Sequence, residues 1–334
     1  YVCLPMPAYG MQMCVGTLLG GLLSQFWPGL PLGWGVLGVF SFHGGHGTAA
    51  AAAASFEKQG LEGHMAVAMV LSTVGLIVAM TVGMALVNCG VRRGWGTFVK
   101  EPTKQPDYFY GGALPEEQRK SIGSTVTTSI SINHLCLQFA WLMGALFIGQ
   151  QIFGFLNTFP AFKALHLPSV LHGVVGGAVM WAIIERLHLE KFVDLKTIKL
   201  LSGFFLELVV FTAMATLNLK FVSTYAAPLA IYSIVLTTLT VPLVLFCARK
   251  FAREKACMCF GAATGNTSTG LALVRSIDPN SESHAGDSHG IYSTISAWKD
   301  IFVGLTPLWL MSGLGFTAGV GAVVMVAFLA IGFI

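Results

Sequence analysis

Long apolar runs separated by short polar ones fill the chain. Eight of them, at about 8–27, 63–90, 132–157, 168–185, 201–219, 225–247, 291–312 and 314–334, approach or exceed 20 residues. That length lets a helix cross the ~30 Å hydrocarbon layer of a bilayer. Strand-like alternation is absent over these lengths, so a β-barrel is not expected. Two further apolar stretches, 32–56 and 257–277, have centres rich in Gly, Ser and Thr and polar ends. They are too broken for one clean span and predict re-entrant hairpins, pairs of short helices that meet partway into the membrane.

Composition agrees with a membrane protein. Mean hydropathy is +0.72 and only 10% of the 334 residues are charged, where a soluble domain carries roughly 25%. The net charge of +4 matters less than its placement. Basic residues gather in 92–131, in the turn after Glu185 and in the run Arg249 to Lys255, which puts all three on the cytoplasmic side. No nucleic-acid partner is expected. The helix 63–90 then starts outside, so the first hairpin enters from outside, whereas the second follows a basic run and enters from the cytoplasm. Two similar elements approaching from opposite faces are the signature of an inverted repeat, an architecture used by secondary transporters.

The expected organisation has four parts. Residues 1–91 carry the end of a first repeat (a helix, hairpin 32–56 and helix 63–90), and 92–131 form a cytoplasmic linker rich in Pro and Gly. Residues 132–312 carry a second repeat of four helices, hairpin 257–277 and a last helix, and 313–334 form an extra helix. Symmetry between the repeats predicts three more helices, roughly 90 residues, upstream of Tyr1. The fold class is therefore an all-α polytopic membrane protein with two re-entrant hairpins.

A hairpin tip inside a membrane leaves backbone groups that only protein, water or a ligand can satisfy. Helix starts at such a tip suit an anion, helix ends a cation. In "HGGHGT", Gly44, Gly45 and Gly47 are expected to turn the chain, and Thr48 to cap the second arm and offer a hydroxyl. His46 joins them as a binding candidate. In "ATGNTSTGLALVRSIDP", Gly265, Asn266, Thr267, Ser268 and Thr269, with Gly270, do the equivalent work. Two such tips near the midplane suit a small carboxylate, with Na⁺ held by oxygen ligands. Thr48, Thr269 and Asp300 are the expected Na⁺ ligands.

Other polar residues have bland readings beside the functional ones. His43 and His46 suit either a metal or neutral hydrogen bonding, and no carboxylate or Cys adjoins them. Asp300, beside Lys299, either binds Na⁺ or braces the second hairpin. Arg275 either meets a substrate carboxylate or snorkels to the interface. Glu207 reads as a structural partner within the bundle, and Gly173, Gly176 and Gly177 as close helix contacts beside a structural His172. Most of the seven cysteines sit in apolar surroundings, and Cys257 and Cys259 lack the further ligands of a metal site. An intramembrane metal-dependent enzyme is the distant alternative, lacking HExxH and GxSxG. A passive channel is another, with no charged ring or carbonyl filter. No catalytic residue is assigned.

"HGGHGTAAAAA" resembles the "GGHGT" motif of the bacterial sodium/glutamate symporters, "FGAATGNTSTGLALVRSIDP" resembles their second hairpin, and "WKDIFV" the start of their last shared helix. The resemblance runs from Tyr1 to about Leu310. It implies two inverted five-helix repeats, a kinship with the 2-hydroxycarboxylate transporters and an elevator motion against a dimeric scaffold. It further implies Na⁺-coupled uptake of glutamate across a cell inner or plasma membrane, with Na⁺ as co-transported ion and no organic cofactor. The polar "GNTST" departs from the Gly/Ala/Pro-like hairpin of the best-known members and leaves a 2-hydroxycarboxylate or other carboxylate open as the solute.

Overall fold

A computed structural model describes residues 1, 3–94, 116, 124–128, 132–159, 162, 169–215, 219–250, 253–278 and 282–333. Most of the expected linker 92–131, with Lys100, Lys104, Arg119 and Lys120, lies outside the described residues, as does the side chain of Glu207. The chain forms two compact units, one of Tyr1–Thr103 with Ala213–Ile334 and one of Lys104–Thr212.

Among the described residues the first unit is helical. It opens with α1 (Met6–Phe26), a 3₁₀ turn (Trp34–Val36), α2 (Leu37–Lys58) and α3 (His64–Arg92). The second unit holds α4 (His134–Leu156), α5 (Ser169–Arg186) and most of α6 (Leu195–Ala215). The chain then returns to the first unit through α7 (Leu219–Cys247), α8 (Arg253–Thr264), α9 (Thr267–Ile277), α10 (Ala285–Ile295), α11 (Ile301–Met311) and α12 (Leu314–Phe333). Four of the described helices are long and apolar enough to cross a membrane: His64–Arg92, His134–Leu156, Lys220–Cys247 and Leu314–Gly332.

The expected span 291–312 is not continuous. A 3₁₀ segment, Ser296–Asp300, separates α10 from α11. Within it Lys299 turns back onto Tyr292, its Nζ 3.2 Å from the hydroxyl and 4.7 Å from the ring centre. Residues seven apart lie about two turns away on one side of the helix, a gap that the long lysine stem spans.

Glycines set the close helix contacts, as small residues do where lipid cannot drive helices together. α12 packs on α1 at Gly10 and Gly321, where a β-carbon on Gly321 would lie 2.8 Å from the Gly10 carbonyl oxygen. In the second unit α4 and α5 meet at Gly149 and Gly176, each against the other helix's backbone. Gly176 was expected there and Gly149 was not. Gly173 and Gly177 are less crowded, and the His172 ring lies tilted against Phe153 with ring centres 4.6 Å apart. Cys257 and Cys259 are buried on α8 as free thiols. The core of the first unit surrounds α2, with Trp34, Phe40, Phe42, Phe56, Leu71 and Tyr232 fully buried.

Candidate functional site

The helix α2 is broken once, at Gly45, with φ 65° and ψ −161°. Side chains avoid that conformation, and glycine alone takes it freely. The break is a reversal, as the partners of α2 along α3 reveal. At the start of α3, His64 Nε2 lies 3.0 Å from the Leu32 carbonyl oxygen, and the His64 ring lies tilted against Phe56. Residues before and after the break thus share one end of α3. Ser41 donates to the Ala68 carbonyl, and His46 Nε2 lies 3.2 Å from Thr73 Oγ1. The tip reaches Gly75, where a β-carbon would sit 3.6 Å from Phe42 Cδ1. From His64 to Gly75 is about 16 Å at the helical rise of 1.5 Å per residue.

The helices α8 and α9 form the second reversal. They pack through Gly261 and Gly270, and a β-carbon on Gly261 would lie 2.6 Å from Gly270 Cα. Their open end adjoins the last part of α3, where a β-carbon on Gly83 would meet Leu273 Cδ2 at 3.0 Å and Ser276 Oγ is 3.7 Å from Met84 Sδ. Their tip reaches the middle of α3. A β-carbon on Gly75 would lie 2.6 Å from the Thr264 carbonyl oxygen, and one on Gly265 would lie 3.0 Å from Ala79 Cβ.

The two tips therefore approach from opposite ends of α3 and meet. A β-carbon on Gly45 would lie 3.2 Å from the Gly265 carbonyl oxygen and 3.4 Å from Asn266 Cβ and Nδ2. Both tips belong to the first unit. They bring Gly44, Gly45, His46, Gly47 and Thr48 to one place with Gly265, Asn266, Thr267, Ser268 and Thr269.

Local chemistry builds each tip. Gly45 alone makes the first turn, with Gly44 ending one arm and His46 to Thr48 opening the next. The Thr48 side chain folds against Gly44. Thr73 gives its proton to the Met69 carbonyl, so it accepts from His46 Nε2, and the buried Nδ1 has no hydrogen-bond partner among the described residues. At the second tip Asn266 caps α9 in a reciprocal capping box. Asn266 Oδ1 accepts from the Thr269 amide at 2.9 Å, and Thr269 Oγ1 accepts from the Asn266 amide at 2.9 Å. Thr269 Oγ1 also lies 2.8 Å from the Gly261 carbonyl oxygen, tying the arms together. Thr267 and Ser268 are exposed in the first turn, and Thr267 Oγ1 lies 3.3 Å from His289 Nε2.

The remaining candidates fall in different places. Asp300 ends the 3₁₀ segment Ser296–Asp300 and precedes α11. His43 is buried, its Nε2 3.3 Å from the Pro5 carbonyl oxygen and its ring edge-on to Tyr9. His43 and His46 thus point to partners on different segments. Arg275 is exposed in the last turn of α9, at the end of the hairpin away from Gly265.

The residues that sequence reasoning missed lie on α1 and α7. Gln12 of α1 donates through Nε2 to the Ala263 carbonyl at 2.8 Å and to Thr240 Oγ1 of α7 at 3.1 Å. Tyr232 of α7 donates to the Gly35 carbonyl at the entry to the first hairpin. Each helix that precedes a hairpin therefore braces the other hairpin. A polar residue in an apolar run was the only signal for either.

The sodium/glutamate symporter family model matches residues 9–262, most of the chain. The chain belongs to the sodium/glutamate symporter family. No curated protein and no solved structure matches it. In this symporter the match takes in α1 from Tyr9 on, the whole first hairpin and nearly all of α8, and stops three residues before Gly265. The tip that meets Gly45 is thus carried by residues beyond the match. The family is one of Na⁺-coupled secondary transporters, and the long apolar helices place the symporter in a membrane.

Proposed function

We propose that this chain takes up glutamate together with Na⁺, binding the solute where the Gly45 and Gly265 tips meet. The observation that carries this reading is the approach of two broken helices from opposite ends of α3 to a shared midpoint. Irregular backbone at membrane depth is tolerated where it is buried in protein or lines a site. The amides opening the second arm and α9 suit the solute's carboxylates. Oxygens of Thr48, Thr269 and Asp300 are the proposed Na⁺ ligands.

The two hairpins are the re-entrant elements of an inverted repeat. One half reads α1, hairpin, α3; the other reads α7, hairpin, α10 to α11. Support comes from the crossed bracing by Gln12 and Tyr232, which treats the two hairpins alike. The solute crosses by an elevator motion of the domain carrying both tips, in a homodimer of an inner or plasma membrane. Each net positive charge that enters adds about 2.3 kcal/mol of driving force per 100 mV.

A second reading keeps Na⁺ coupling and replaces glutamate by a 2-hydroxycarboxylate. The exposed hydroxyls of Thr267 and Ser268 favour it, since they make the second tip more polar than glycine and alanine do. Uptake by proteoliposomes tests both. Radiolabelled glutamate is expected to accumulate in external Na⁺ and to stop when choline replaces it, with citrate and malate competing weakly. Uptake that ignores Na⁺ would sink the coupling, and strong competition by malate would transfer the site to the second reading.

A further inference from the structure

We propose that Gln12 binds a cationic group through its side-chain oxygen, either Na⁺ or the ammonium group of the carried amino acid. The inference rests on the transporter reading above and deepens its account of the site. Gln12 is fully buried on α1. Its amide orientation follows from its partners. Thr240 gives its only proton to the Leu236 carbonyl at 2.7 Å, so toward Gln12 it accepts. The second partner, the Ala263 oxygen, also accepts. Two acceptors on one side require the NH₂ group there, and the reversed amide would set oxygen against oxygen.

Oε1 therefore faces the other way, buried and with no hydrogen-bond donor among the described residues. An amide oxygen only accepts. A buried acceptor left unmatched is costly, and what satisfies it must bring a donor or a positive charge. A second unmatched oxygen shares this face of the helix. Tyr9, three residues earlier on the same face of α1, also has a buried hydroxyl oxygen with no partner among the described residues. The Ala263 carbonyl that Gln12 holds lies two residues before Gly265, which ties Gln12 itself to the arm that ends at the second tip. A carbonyl oxygen is a good ligand for Na⁺ and an equally good acceptor for –NH₃⁺.

The test uses the full chain in nanodiscs. Melting temperature is followed against NaCl, with choline chloride as control. Glutamate and glutarate, which lacks the amino group, are then titrated in saturating Na⁺. Gln12→Met removes the oxygen at similar size. If Na⁺ is the occupant, the Na⁺ concentration for half-maximal stabilisation rises at least tenfold in this variant without any solute. If the ammonium is the occupant, glutamate affinity falls at least tenfold while glutarate affinity stays put. Unchanged responses to all three overturn the inference. Should Gln12→Met fail to fold, Gln12→Lys decides, because an ammonium keeps donors toward Thr240 and Ala263 and offers no acceptor: the same tenfold loss is expected, and an unchanged response in a folded variant overturns the inference. A wild-type protein indifferent to Na⁺ and glutamate alike overturns the transporter reading and this inference with it. A responsive wild type with an equally responsive Gln12→Met overturns the inference alone.

Discussion

Gly45 faces Gly265: a β-carbon on the first would lie 3.2 Å from the carbonyl oxygen of the second. One residue ends a helical arm that entered beside His64, and the other precedes α9, whose far end lies beside Met84. The space between two hairpins is thus set by backbone, and small changes there act on both.

Gly45→Ala is the sharpest test of that meeting point. With φ at 65°, an alanine is strained by about 1–3 kcal/mol. Its methyl must also share space with Gly265 and Asn266. The expected outcome is a lowered melting temperature and at least tenfold weaker glutamate uptake, measured on the same preparation. Wild-type uptake would mean that the reversal at Gly45 can open without consequence.

Asn266→Ala removes the cap of α9. Losing an N-cap costs about 1 kcal/mol, and the second tip is expected to fray. Glutamate affinity should fall several-fold, whereas Asn266→Ser, a neutral cap that can still accept from the α9 amides, should retain most of it. Isothermal titration of the two variants separates the cap from the amide's other atoms.

Tyr232→Phe deletes the hydroxyl that holds the Gly35 carbonyl. The loss is about 0.5–1.5 kcal/mol for one buried hydrogen bond. Hydrogen exchange should speed up in 34–40, the entry arm of the first hairpin, and stay unchanged in 253–264. Equal acceleration in both hairpins would show that the two are not braced separately.

Asp194, in the turn before α6, makes one pH dependence calculable. The Thr197 hydroxyl donates to its carboxylate at 2.6 Å and the Ser124 amide at 2.9 Å, and these bonds hold its pKa down to about 2 against the opposing effect of burial. An ordinary aspartate titrates near 3.9. A pKa lowered in the folded state adds stability that is fully present above about pH 4 and is lost as pH falls toward 2. The attachment of 124–126 to the second unit should therefore loosen across that window. Asp194→Asn should remove most of that pH dependence, read as exchange of the Ser124 and Thr197 amides. The same cluster holds His134, whose Nδ1 accepts from the Val126 amide and whose Nε2 lies 3.1 Å from Thr197 Oγ1.

Much of the architecture was legible because apolar length and glycine content act locally. A run of 20 apolar residues has few stable arrangements other than a helix in lipid. "HGGHGT" and "ATGNTST" broke that pattern where the two tips lie. The cap at Asn266 was less visible, since the residue was read as a ligand and its Oδ1 is spent on Thr269. The break at Ser296–Asp300 was hidden because apolar residues flank it on both sides, and a shift from α to 3₁₀ geometry leaves no mark on hydropathy.

By itself the sequence determined that the chain is helical, built for a membrane and interrupted at two glycine-rich points, since each of these follows from short-range rules of length and backbone freedom. Only the tertiary structure decided that the interruptions meet at the middle of α3, and that Gln12 and Tyr232 cross over to hold them. Those pairings join residues more than 190 positions apart. They depend on which faces of the helices pack together, and hydropathy cannot encode this where lipid-facing and protein-facing sides are both apolar.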